Sequence, residues 1–250
     1  MVFLYSLQSE WLKTKRSAGS WLCLIGGFFI PVISLLSFIK NHNSINSYDP
    51  GIWEYHFMQL WRNMSGFLLP VGVILASSLI TQLEFKNNAW KQLHATPQSY
   101  TLIFFSKLTV ILLMTVKFFI FFNIGTILSG IIPSLLFDHK FPKQNIPVAY
   151  FLEGNLKFFA TCLPVIALQY LLSLQFRNFL VPISAGLGIL IGTLIGFSWK
   201  YIFISPYSYC PFNFRADIQK LFNIYTASII YFFVITAISY ILYINKKDKG

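Results

Sequence analysis

The sequence predicts an all-α, polytopic membrane protein. It has six transmembrane helices in a single domain over residues 1–250, an N-terminal interfacial amphipathic helix, and a short cytoplasmic amphipathic helix between spans two and three. Three observations carry this reading. The chain is 56% hydrophobic and 11% charged, against about a quarter charged in soluble domains. Its 27 Phe bring the aromatic share to 18%, so a soluble fold would lack the polar surface to cover itself. The apolar residues also gather into runs near the roughly 20 residues that cross about 30 Å of hydrocarbon. Helices follow because an open sheet leaves backbone groups unsatisfied in lipid.

Taken in order, Phe3, Leu4, Leu7 and Trp11 recur at helical spacing, with Gln8, Lys13 and Lys15 elsewhere. This is the pattern of a helix lying along the inner leaflet. The spans follow at about 19–39, 65–83, 100–132, 156–173, 179–199 and 224–244. The first is longer than the apolar core of a signal peptide and lacks a small-x-small cleavage site, so it is expected to be retained. The third is too long for one perpendicular crossing, which implies tilt or a cytosolic first few turns. Lys117, inside it, costs about 2.5–3.5 kcal/mol at mid-membrane, so it either faces a hydrated cavity or snorkels to the interface. Glu153 and Lys157, at i and i+4, are placed to pair.

Between spans two and three lies "EFKNNAWKQLHATPQS". At about 100° per residue, Phe85, Ala89, Trp90 and Leu93 share one half of a helix, and Glu84, Asn87, Asn88, Lys91, Gln92 and His94 the other. Pro97 ends that helix, and Ser99 can cap the third span. The fifth span carries Ser184, Gly188, Gly192 and Gly196 at every fourth position. Such a stripe lets another helix approach closely, from a second subunit or from the same chain.

The net charge is +11, but the basic residues sit at the ends of apolar runs, where lipid head groups and insertion rules account for them. Nucleic-acid binding is not expected. "EWLKTKRS" precedes the first span and "NKKDKG" follows the sixth, so the positive-inside rule puts both termini in the cytoplasm. The three cysteines form no close pair in sequence and the four histidines are scattered, so neither a disulfide framework nor a metal site is expected. No GxxxxGK[ST] occurs to cradle a nucleotide's phosphates.

Two patches resemble the ABC-2-type ABC transporter permease family, in its small lantibiotic-immunity and bacitracin-resistance branch. One is "SEWLKTKRSAGSW"; the other is "EFKNNAWKQLHATPQSYTLIFFSKL", whose matching positions are Glu84, Asn88, Lys91, Leu93, Pro97 and Lys107, with Trp90 alongside. The resemblance implies a multi-pass permease of the bacterial cytoplasmic membrane that exports a hydrophobic or amphipathic substrate, as in antimicrobial-peptide immunity or drug efflux. It implies no catalytic residue and no cofactor bound by this chain, with ATP and Mg held by a separate dimeric ABC ATPase, and a second permease subunit, identical or paralogous. The 84–97 segment would be the coupling helix seated in the ATPase, anchored by Phe85, Trp90 and Leu93, with Glu84 and Lys91 setting register. A passive channel or membrane anchor without ATP coupling is the alternative. An intramembrane enzyme would need a nucleophile–base pair or a metal cluster at membrane depth, and none of the eight acidic residues is convincingly mid-span.

Overall fold

The structure is a computed structural model that describes residues 2–15, 17–40, 51–85, 99–137, 145–176 and 178–245. Among them the secondary structure is wholly helical. α1 runs Val2–Thr14 and α2 Ala18–Lys40. α3, Ile52–Asn63, continues through a π turn, Met64–Leu68, into α4, Leu69–Phe85. α5 spans Tyr100–Phe137, α6 Val148–Gln175 and α7 Leu180–Ile195. Two 3-10 turns and the short helices α8, Tyr209–Phe212, and α9, Ala216–Leu221, lead to α10, Ile224–Asn245.

Among the described residues, five helices are long and apolar enough to cross a membrane: α2, the α3–α4 rod, α5, α6 and α10. The expected span at 179–199 is cut short. α7 has only 16 residues, about 24 Å at 1.5 Å per residue, and its chain turns inward at Gly196. There Thr193 Oγ1 lies 2.5 Å from Ser205 Oγ, which ties the helix end to the returning chain. After the exposed Phe203 and Ile204, residues 206–212 pack against the helices, with Pro206, Tyr207, Ser208, Cys210 and Phe212 buried.

The second span begins far earlier than its purely apolar run. Trp53, Phe57, Leu60 and Trp61 of α3, with Met64 of the π turn, are all buried. Trp61 stacks on Phe158 with ring centroids 3.9 Å apart, and Phe57 on Phe151 at 4.5 Å. His56, also buried, bonds through Nε2 to Ser129 Oγ at 3.0 Å. The π turn directly precedes Pro70. Proline removes one N–H and crowds the carbonyl four residues back, and a widened turn relieves both effects.

α10 packs on α6, and α2 packs on α5. The α2–α5 seam is tight where glycine lies: a Cβ on Gly27 would sit 2.9 Å from Phe121 Cβ. The opposite faces of α2 and α10 leave Trp21, Ile25, Phe29, Ile230, Phe233 and Val234 exposed. Continuous apolar faces of this kind need lipid or another protein against them.

Candidate functional site

The two sequence patches meet at the N-terminal end of α5. Ser99 starts that helix, accepting the Leu102 N–H on its Oγ at 3.4 Å. Its first two turns are bonded to three other helices. Thr101 Oγ1 lies 2.7 Å from Tyr240 Oη of α10, and the Phe104 carbonyl accepts the Tyr170 hydroxyl of α6 at 2.8 Å. Ser106 Oγ donates to Ser6 Oγ of α1 at 3.1 Å, and Lys107 Nζ donates to Glu10 Oε2 at 3.2 Å.

The Lys107–Glu10 pair is almost dry, with side chains 1% and 9% exposed. Lys13 adds a second ammonium against the same carboxylate. Burial pushes the Glu10 carboxyl upward, but Lys107 and Lys13 together outweigh it and hold it below the ordinary range. It is therefore ionised at neutral pH. α1 turns Ser6, Glu10 and Thr14 inward, with Leu7 and Trp11 half-buried against the core, while Phe3, Leu4 and Leu12 remain outside. The inward stripe thus differs from the apolar one that the spacing picks out.

Glu84 and Phe85 belong to the last turn of α4. Asn88, Trp90, Lys91, Leu93 and Pro97 lie outside the described residues. The segment that contains them joins α4 directly to the bonded base of α5. Lys117 donates to Ser20 Oγ at 2.7 Å and stands 5.7 Å from the Phe121 ring centroid, so its ammonium points back to the first turn of α2.

Ser184, Gly188 and Gly192 face away from the rest of the chain. A Cβ at Gly188 or Gly192 would meet nothing within 4 Å, whereas Gly196 sits at the helix end against the Gly192 carbonyl. The glycine that packs inward is Gly186, where a Cβ would stand 2.5 Å from Gln169 Oε1. Gln169 is itself a buried junction. Its amide donates to Ser78 Oγ at 3.2 Å and to the Pro182 carbonyl at 2.8 Å, and its Oε1 accepts the Tyr207 hydroxyl at 3.2 Å.

The three cysteines are free and buried. Cys210 Sγ donates to the Thr161 carbonyl at 3.4 Å, beside Cys162 in the chain. Among the described residues no group of three or more His, Cys, Asp or Glu could hold a metal ion. Glu153 and Lys157 pair at 2.5 Å on an exposed face.

The ABC-2 family transporter protein family matches residues 6–193, three quarters of the chain, including both patches that converge on Lys107. The chain belongs to the ABC-2 transporter family. No curated protein and no solved structure matches it. As an ABC-2 protein it is a membrane component of an ABC transporter, a class that works in general with an ABC ATPase. The match ends inside α7, so the inward-turning segment and α10 lie beyond it.

Sequence reasoning placed Lys107 within the family patch but did not pair it with Glu10. One signal was available: a lysine eight residues into an apolar helix needs a partner, and a glutamate beside the apolar stripe of an N-terminal helix can supply one.

Proposed function

We propose that this chain is the permease subunit of an ABC exporter. A separate ATPase subunit, a dimer holding ATP and Mg, seats the 84–97 segment as a coupling helix. Closure of that dimer displaces the segment and with it the base of α5. The observation that carries this reading is the bonding of the first two turns of α5, through Thr101, Phe104, Ser106 and Lys107, to α10, α6 and α1. A push delivered at Ser99 reaches three helices within two turns.

In this reading α7, completed by the segment returning from Gly196, makes the sixth crossing. Both termini then lie on the cytoplasmic side of a bacterial membrane, as the lysine-rich ends predict. The outward stripe of Ser184, Gly188 and Gly192 meets a second permease subunit, identical or paralogous, because small residues let two helix backbones approach. The cargo is hydrophobic or amphipathic, an antimicrobial peptide or a drug, and moves outward.

Purification in mild detergent, with mass determination of every subunit, tests the reading. An ATPase polypeptide retained in fixed proportion supports it. A chain that purifies only with copies of itself, with no nucleotide hydrolysis, points instead to a channel or an anchor.

A further inference from the structure

The junction between α1 and α5 is built differently from the other two contacts at the base of α5. Tyr170 and Tyr240 hold α5 by hydrogen bonds between neutral groups, backed by aromatic contacts with Phe104. α1 is held by a buried charge pair. Around it lie Ser6 and Ser106 and the second ammonium of Lys13. Leu7 and Trp11 add half-buried apolar contacts, while Phe3, Leu4 and Leu12 are exposed. Parting α1 from α5 would take Glu10 away from Lys107 and leave it the Lys13 ammonium of its own helix, and breaking a buried pair is far costlier than losing a surface one.

α1 is also tied to α2. The intervening turn is closed by the Ser17 hydroxyl on the Thr14 carbonyl at 2.7 Å and by the Trp21 N–H on the Ser17 carbonyl at 3.3 Å. α2 then runs along α5 through the seam of Gly27, Gly125 and Pro31. The chain path from Lys107 through Glu10, α1 and α2 therefore returns to α5 and closes a loop of contacts.

We infer that Glu10 is a positioning residue: through its ion pair with Lys107 it locks α1, α2 and the base of α5 into one body, which moves as a unit when the 84–97 segment is displaced. The compliant contacts are then those made by Tyr170 and Tyr240, where α5 meets α6 and α10. This inference rests on the proposed coupling role of the 84–97 segment for its direction of force. The clasp itself is testable without that role.

The test uses the full chain with Ser6→Cys and Ser106→Cys, whose hydroxyl oxygens stand 3.1 Å apart. Copper phenanthroline serves as oxidant, and the joined peptides are read by mass spectrometry. In membranes containing this chain alone, Glu10→Gln is expected to lower the cross-linking rate at least fivefold. The charge swap Glu10→Lys with Lys107→Glu is expected to restore it to within twofold, a rescue that a merely space-filling role would not give. In the complex with its co-purified ATPase, the rate with the native charges is expected to stay within twofold between the nucleotide-free state and the ATP–vanadate state. Native-like cross-linking in Glu10→Gln overturns the inference, and so does a loss of cross-linking under ATP–vanadate. The second arm keeps the native charges, so it decides even where the Glu10 variants fold poorly. If no ATPase accompanies the chain, the proposed function fails, and the first arm still decides the clasp.

Discussion

Gly125 of α5 faces Pro31 of α2 so closely that a methyl group on the glycine would lie 2.9 Å from the proline Cβ and 3.0 Å from a ring carbon of Phe28. The proline interrupts the hydrogen-bond ladder of α2, and the glycine supplies the space into which its ring fits. Two residues that each weaken an isolated helix together make a close part of the α2–α5 seam.

Gly125→Leu therefore forces the seam apart. Overpacking of this kind costs about 1–3 kcal/mol, and the expected outcome is a lower thermal midpoint in detergent. An unchanged midpoint would mean that α2 and α5 do not touch there.

Leucine at Gly188 and Gly192 is the contrasting experiment. Among the described residues a Cβ at either position would meet nothing within 4 Å beyond its own helix and chain neighbours, so the double variant is expected to fold and insert with an unchanged thermal midpoint. If these glycines meet a second subunit, the same variant shifts the detergent complex from two permease chains to one, as read by light scattering. A complex that keeps its mass removes the stripe from the interface.

Trp90 is the aromatic anchor that the coupling reading places in the ATPase. Truncating such an anchor costs about 2 kcal/mol or more, roughly a thirtyfold loss of affinity. Trp90→Ala is expected to leave membrane insertion unchanged and to strip the ATPase from the purified complex, or to leave hydrolysis uncoupled from transport. A variant that transports as well as the native chain would contradict this assignment.

Glu10 sets a pH limit on the α1 clasp. Its folded pKa is lowered from 4.5, so the pair contributes its full stabilisation above the unfolded carboxylate range. That contribution is lost as pH falls through the depressed folded value. The thermal midpoint is expected to be insensitive to this group from pH 8 to about pH 5 and to fall below about pH 4.5. Glu10→Gln should flatten that acid limb. An identical limb in the variant would show that other carboxyls govern it.

The sequence made the long apolar helices legible because α2, α5 and α10 present lipid-length runs with few interruptions. Their ends match the expected spans closely. α3 was hidden because Glu54, His56, Gln59, Arg62 and Asn63 make its composition polar, although Trp53, Phe57, Leu60 and Trp61 recur on one face. Composition averages over a helix, whereas burial follows one side of it. The span at 179–199 is shorter as a helix than its apolar run: α7 ends at Ile195, and Phe197 and Trp199 lie in the turn that follows it. The base of α5 was legible as two separate patches. Their meeting is a long-range contact, and no local pattern encodes it.

The Gln169 junction has a consequence for how the helices can shift. Four stretches of chain, contributing Ser78, Gln169, Pro182 and Tyr207, satisfy one another's polar groups at that level and leave Gln169 fully enclosed. A displacement that pulls these stretches apart would have to undo three hydrogen bonds in a dry surrounding, so α4, α6, the start of α7 and the chain at Tyr207 are pinned to one another there.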